Sequence, residues 1–125
     1  MMHRVLSLSL FGLLLSFFSI AHGATTDFTV RTLIGGDTTP PTVPANLTVV
    51  PVATSQINLT WDSSTDDILL SGYQVFRDAI QIATTTLSSY SDFGLIPSTT
   101  YSYFVTAFDS FGNVSTSSTL VSTTT

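Results

Sequence analysis

The sequence predicts an all-β fold, a sandwich of two antiparallel sheets, from three observations. Short runs of alternating apolar and polar residues recur from Leu47 onward, turn-forming residues separate these runs, and no stretch has helical periodicity. About 102 residues follow the predicted N-terminal signal, which suits one sandwich domain and is too short for two.

Residues 1–23 predict a secretory signal peptide. Arg4 supplies the positive charge, residues 5–20 form an uncharged apolar run, and Ala21-His22-Gly23 places small residues at a cleavage point. The apolar run has 16 residues, fewer than the roughly 20 that span a bilayer, so we expect cleavage rather than anchoring. The mature protein is therefore expected to be secreted, extracellular or periplasmic, and not to bind a membrane.

Residues 24–40 predict a flexible arm followed by a proline-rich lead-in. Prolines at 40, 41 and 44 stiffen the chain here, because proline fixes φ and forbids a helix. The folded domain is expected at 41–123, and the tail at 122–125 has the composition of a linker.

Seven strand signals follow in order, each with the period of two that places alternate side chains on one face. Their markers are Leu47 and Val49; Ile57, Leu59 and Trp61; Tyr73 and Val75; Ile80 and Ile82; Tyr90; Tyr101, Tyr103, Val105 and Ala107; and the run Val114 to Val121. The loop from Asp62 to Gly72 separates the second and third strands. A single hydrophobic core between two sheets is the expected result.

The composition excludes most catalytic chemistry. The chain contains no cysteine, lysine or glutamate, and its only histidines, His3 and His22, lie in the predicted signal. Imidazole metal sites, Cys or Ser/His nucleophiles, Schiff-base lysines and disulfides therefore have no residues to build them. We predict no enzyme activity and no cofactor. The remaining enzymatic alternative is hydrolysis by two carboxylates such as Asp66 and Asp109, which needs a cleft that so small a sandwich hardly offers.

The charge balance argues against nucleic-acid and membrane partners. After signal removal, the chain has two positively charged residues, Arg31 and Arg77, and eight aspartates. Phosphate groups and anionic lipid surfaces are bound by clustered Lys and Arg, which are absent here. We expect a monomer whose partners, if any, are polysaccharides or other extracellular proteins or domains.

The run Leu95-Ile96-Pro97-Ser98-Thr99-Thr100-Tyr101, leading into an alternating strand, resembles the tyrosine corner of the fibronectin type III family. The resemblance covers about residues 41–123 and implies an immunoglobulin-like sandwich. It also implies structural roles for Trp61, Leu95, Pro97 and Tyr101, with the Tyr101 hydroxyl bonding upstream backbone. Four further segments look like the variety found beside bacterial extracellular polysaccharide-degrading enzymes: 44–47, 57–61, 72–77 and 107–113.

The sequence departs from the family pattern at Asp78-Ala79. Family members commonly place Asn-Gly or Asp-Gly in this hairpin. A type I′ turn needs positive φ at both central residues, and a left-handed alanine costs roughly 1–2 kcal/mol. We therefore expect a different turn or a longer loop here.

Three phenylalanines are candidate binding residues. Strand parity places Phe104 and Phe108 opposite the core face of their strand, and it places Phe76 outward on the neighbouring strand. One interpretation is an exposed apolar strip for a sugar ring or an apolar partner. The other is structural, because cross-strand aromatic pairs stabilise sheets and a neighbouring domain could cover them.

Acidic residues are expected to gather at one pole of the sandwich, where the lead-in and two loops meet. The candidates are Asp37, Asp66 and Asp109, with Asp62, Asp67 and Asn113 nearby. Calcium takes six to eight oxygen ligands of this kind. No spacing here matches a defined calcium loop, however, and Asp and Asn are also ordinary turn residues.

The functional prediction is a non-catalytic exported module that acts as a spacer or as an accessory binding domain. The alternative is a free-standing adhesion or carbohydrate-binding protein that uses the aromatic sheet face. A β-sandwich of this kind does not by itself specify a ligand.

Overall fold

The computed structural model describes residues 36–125, which form seven strands and contain no helix. The predicted signal peptide and the arm up to residue 35 lie outside the described residues. The strands are β1 (Ala45–Ala53), β2 (Gln56–Asp62), β3 (Leu70–Arg77), β4 (Ile80–Thr85), β5 (Ser89–Phe93), β6 (Thr100–Asp109) and β7 (Val121–Thr124).

The strands form two antiparallel sheets. One sheet has three strands in the order β1-β2-β5, and the other has four in the order β4-β3-β6-β7. Every strand pair within the sheets is antiparallel. The predicted fold class, an all-β two-sheet antiparallel sandwich, is confirmed.

The core lies between the two sheets and follows the period of two. Ile57 and Leu59 of β2 are fully buried, and Tyr73, Val75 and Tyr103 oppose them from β3 and β6. Intervening residues on the same strands point outward. Burying such side chains is the main stabilising contribution in a domain without disulfides, at about 1.5–3 kcal/mol for each large aliphatic side chain.

The connection between β5 and β6 contains the tyrosine-corner sequence. Tyr101 Oη accepts a hydrogen bond of 3.0 Å from the backbone N–H of Ile96, five residues upstream. Leu95 is 5% exposed and packs in the core, while Pro97 and Ser98 make the turn. The Arg77 guanidinium lies 5.4 Å from the centre of the Tyr101 ring. Both polar and aromatic contacts therefore hold this connection.

The prediction for the β3–β4 hairpin is wrong. Asp78 and Ala79 connect the strands as a two-residue turn, and both have positive φ, 50° and 66°. The turn is tied to β6, because Asp78 N donates to Ser102 O and Asp78 Oδ1 accepts from Ser102 N. These contacts hold alanine in a conformation that its own side chain disfavours.

Replacing Ala79 with glycine should therefore stabilise the protein by roughly 0.5–1 kcal/mol. Relief of a left-handed alanine gains about 1–2 kcal/mol, and the greater freedom of glycine in the unfolded chain offsets about 0.4–1 kcal/mol of it. Urea unfolding of the variant and parent measures the difference. Ala83→Gly in β4, where the strand is extended, should instead destabilise, and a loss of stability in Ala79→Gly would contradict the strain assigned here.

The predicted closing strand at Val114 to Val121 is also wrong, as is the linker-like tail. Residues 115–118 follow the edge of β6 through serine hydroxyls instead of a continuous backbone ladder. Ser115 Oγ accepts from Ala107 N and Ser118 Oγ accepts from Val105 N, while the two serine N–H groups donate to the carbonyls of the same residues. The ladder resumes only in β7, which includes three of the four tail residues.

Candidate functional site

The outer face of the four-stranded sheet carries the three candidate phenylalanines. Phe76 of β3 pairs directly with Phe104 of β6, and Phe108 of β6 pairs with Gly72 of β3. Their strand neighbours Val75, Val105 and Ala107 are fully buried in the core, so the alternate positions face away from it. All three aromatic side chains therefore lie on one sheet face.

Phe76 and Phe104 stack on each other. Their ring centroids are 4.5 Å apart and their planes are inclined by 10°. This stack is a cross-strand pair of the kind that stabilises a sheet by about 0.2–1 kcal/mol. One face of each ring is consequently occupied by its partner.

Phe108 lies over a glycine. A Cβ atom at Gly72 would be 3.3 Å from Phe108 Cε1 and 2.6 Å from the backbone oxygen of Thr85, so no larger residue fits there without displacement. The absence of a side chain at Gly72 lets the Phe108 ring lie against the sheet. Such aromatic cover compensates for the packing that a glycine lacks.

A polar pair separates these aromatic groups. Thr106 lies between Phe104 and Phe108 on β6, and its hydroxyl donates 3.2 Å to Gln74 Oε1 on β3. The face thus has aromatic, polar and aromatic groups in succession along two neighbouring strands, with Gln74 partly exposed and Thr106 only 8% exposed. Aromatic surface combined with uncharged hydrogen-bonding groups is suited to a neutral ligand with both C–H and O–H surface.

The three phenylalanines lie on one face as expected, but they are less exposed than the expected strip. All three are only partly exposed, because Phe76 and Phe104 cover each other and Phe108 covers Gly72. More exposed apolar side chains occur elsewhere, including Phe93 on the other sheet at 65% exposure. Sequence reasoning missed Phe93 because it ends a short strand whose only apolar marker was Tyr90.

Asp37, Asp66 and Asp109 come together at one pole of the sandwich. Asp37 lies in the lead-in, Asp66 in the loop between β2 and β3, and Asp109 at the end of β6. One carboxylate oxygen from each lies within 4.8 Å of the others. Asp62, also expected at this pole, does not join the three, because its carboxylate instead accepts 2.7 Å from the Asn46 side-chain amide.

Asp109 is the best anchored of the three carboxylates. Its oxygens accept hydrogen bonds from the backbone N–H groups of Phe111 and Asn113 and from the Asn113 side chain, at 2.6–2.8 Å. Burial acts to raise the pKa of Asp109, but these hydrogen bonds outweigh it and hold that pKa below its ordinary value. The Asn113 amide also donates to the Asp37 carbonyl, which links the lead-in to this loop.

A second polar cluster, between the two sheets, was not predicted. Asp92 of β5 is 4% exposed and accepts hydrogen bonds from Arg77 of β3, at 2.9 and 3.0 Å, and from Tyr103 Oη of β6, at 2.8 Å. Burial, followed by the bond to Asp92, raises the pKa of Tyr103. Asp92 pairs with the buried Ile57 of β2, so it occupies a core-facing position of β5. A charged residue at such a position was the sequence signal that could have predicted a buried polar cluster.

Comparison with known proteins finds similar segments in several larger bacterial enzymes. The family model of the fibronectin type III domain matches residues 39–124. Exoglucanase B of Cellulomonas fimi is 45% identical over 89 residues, which is 71% of this chain and 8% of that enzyme. Chitinase Chi52 of Paenibacillus xylanexedens is 40% identical over 89 residues, covering 71% of this chain and 17% of that protein. The match thus spans less than a fifth of either relative.

Solved structures with the same β-sandwich fold superimpose on this chain. The chitinase ChiA74 of Bacillus thuringiensis superimposes with a TM-score of 0.67 at 30% identity, over 73% of this chain and 14% of that one. A human fibronectin type III domain superimposes with a TM-score of 0.61 at 22% identity, over 73% of this chain and 92% of that one, which supports the fold alone.

Residues 36–125 contain no helix with the length and hydropathy of a membrane span.

Proposed function

The chain belongs to the fibronectin type III domain family, and from that premise we propose that it is a non-catalytic exported module. It serves as a spacer or as an accessory binding domain for a polysaccharide or a cell-surface protein. The observation that supports this most is the pattern of relatives. The match covers 8% of an exoglucanase, 6% of an alpha-amylase and 17% of a chitinase.

A segment shared by proteins with three different activities does not carry any one of those activities. Each reaction needs its own catalytic groups, so the common part must serve a purpose that the three enzymes share. Connecting domains and holding a catalytic domain near its polymer are two such purposes. The signal predicted at residues 1–23 supports the proposal that the module is exported.

The outer sheet face is the proposed contact for polysaccharide. Phe104 and Phe108 flank the hydrogen-bonded pair of Thr106 and Gln74. Sugar rings present C–H surfaces that pack on aromatic rings and hydroxyls that bond polar side chains, and this face offers both kinds of group. None of these four residues carries a charge, which suits a neutral glycan better than a charged partner.

Replacing Phe104 and Phe108 together with leucine tests the binding role. We expect retention on insoluble chitin or cellulose, or on a glycan array, to fall by roughly tenfold, because aromatic contacts contribute about 0.5–1.5 kcal/mol each beyond area burial. Leucine keeps most of the apolar volume, so the sandwich should still fold, as circular dichroism would check.

Phe93→Leu is the matched control. It removes a more exposed aromatic ring from the opposite sheet and should leave retention unchanged. If the parent protein binds none of the glycans, the accessory-binding role is wrong and the spacer role remains. Equal loss in the control variant would show that any exposed aromatic ring suffices and would contradict the assignment to this face.

A further inference from the structure

The three-carboxylate pole carries an inference independent of the proposed function. We infer that Asp37, Asp66 and Asp109 bind one calcium ion, which joins the lead-in to the loops after β2 and β6.

The spacing of the carboxylates fits one ion. One oxygen from each of the three residues lies within 4.8 Å of the other two. Two ligands on opposite sides of a Ca²⁺ ion are separated by twice the metal–oxygen distance, or about 4.6–5.2 Å. All three oxygens are therefore close enough together to contact the same cation.

Two buried oxygens at this pole have no donor. Asp37 Oδ2 and Asp66 Oδ1 are sealed from solvent and accept no hydrogen bond. The second oxygen of each carboxylate is satisfied: Asp37 Oδ1 accepts from Thr39 N, and Asp66 Oδ2 accepts from the N–H groups of Ile68 and Leu69. A carboxylate oxygen that has lost its hydration without gaining a donor is strongly unfavourable, and a cation removes that cost.

Ser64, in the same β2–β3 loop as Asp66, also has a buried oxygen without a hydrogen-bond partner. It lies two residues before Asp66, is 7% exposed, and its hydroxyl oxygen has no hydrogen-bond partner. Calcium coordination needs six to eight oxygens, more than three monodentate carboxylates supply. Asp37 and Asp66 are partly exposed, so solvent water would supply the remaining ligands.

The charge of the pole has no compensation from described side chains. Arg77 is the only cationic residue between positions 36 and 125, and it is paired with Asp92. Three carboxylates held this close repel one another. Calcium favours oxygen ligands and flexible geometry, so the donor set selects it over softer metals.

The consequence of binding is a fixed lead-in. Asp37 directly precedes the proline-rich segment, and its carbonyl accepts a hydrogen bond from the Asn113 amide of the β6–β7 loop. An ion shared with Asp66 and Asp109 would lock this segment against two loops at once. A module that connects domains would then have a calcium-dependent rigidity at its N-terminal junction.

Calcium titration of the full chain, stripped with EDTA, tests the inference. Isothermal titration should give one site per chain with a dissociation constant in the range of about 10⁻⁴–10⁻³ M that extracellular modules show. Ca²⁺ at 10 mM should raise the unfolding temperature by several degrees, and Mg²⁺ at the same concentration should raise it less. Absence of both the heat and the shift would overturn the site.

Asp66→Asn and the control Asp62→Asn separate ligation from structure. Each removes one negative charge, but only Asp66 belongs to the cluster. Asp66→Asn should weaken calcium binding by at least tenfold and yet leave the EDTA-treated protein as stable as the parent or more so, because repulsion is relieved. Asp62→Asn should bind within twofold of the parent. Undiminished binding in Asp66→Asn, or equal loss in Asp62→Asn, would overturn the assignment.

Discussion

Trp61→Ala should lower the free energy of unfolding by about 3–5 kcal/mol, because it leaves a large cavity in the only core of the described domain. Trp61 is 5% exposed and lies edge-on to Tyr73, with ring centroids 5.3 Å apart. Tyr73 in turn accepts a hydrogen bond from the backbone N–H of Ser64, so its position also fixes the loop after β2. Small domains are stable by only about 5–15 kcal/mol, and the loss should be plain in urea unfolding.

Trp61→Phe is the matched variant. It keeps an aromatic ring against Tyr73 and removes an indole N–H that has no hydrogen-bond partner among the described residues. The loss should therefore be smaller than in the alanine variant, since only volume and not a hydrogen bond is removed. If alanine costs less than about 1 kcal/mol, as a surface position would, then Trp61 does not pack as described.

The period of two, together with the turn residues between the runs, predicted the fold class from the sequence. Core positions such as Ile57, Val75 and Val105 lie in alternating runs, and their fully buried side chains are what that alternation requires. The sequence also indicated that Asp37, Asp66 and Asp109 approach each other, because loops at one end of a sandwich meet. It could not specify the distance, which depends on how Asn113 holds Asp109.

The predictions for the strand at 114–121 and for the β3–β4 hairpin failed for one physical reason. In both segments, side-chain hydrogen bonds stabilise a backbone conformation that strand periodicity or turn propensity does not predict. Ser115 and Ser118 supply the acceptors that a β ladder would supply, so the chain follows β6 without forming a strand. At the β3–β4 hairpin, the bonds between Asp78 and Ser102 stabilise a turn that alanine propensity disfavours. The period of two contains no information on such contacts, because the partners lie 8 to 24 residues apart in sequence and on different segments.

Asp92 illustrates the same limit and leads to the second large effect. Its carboxylate accepts from Arg77 and Tyr103, and so it joins β5 of one sheet to β3 and β6 of the other. Tyr103 has no exposed surface, whereas the Arg77 side chain is 31% exposed. Desolvation acts to lower the pKa of Arg77, but the hydrogen bond and charge of Asp92 outweigh it and raise that pKa above its ordinary value, so the guanidinium stays protonated.

Asp92→Ala should therefore destabilise the protein by about 2–4 kcal/mol. Breaking a buried ion pair costs about 3–5 kcal/mol, the partial exposure of Arg77 reduces that figure, and the stranded Tyr103 hydroxyl adds about 1–3 kcal/mol. Urea unfolding at low and high salt measures both the size and the burial of the interaction, because a buried pair is screened little.

A double-mutant cycle apportions the cluster. Tyr103→Phe should cost stability when Asp92 is present and much less in the Asp92→Ala background, because its hydroxyl has then already lost its acceptor. Directly interacting residues give coupling energies of about 0.5–3 kcal/mol. Additive losses would show that Tyr103 and Asp92 do not interact energetically, and the polar connection between the sheets would then depend on the Arg77–Asp92 pair alone.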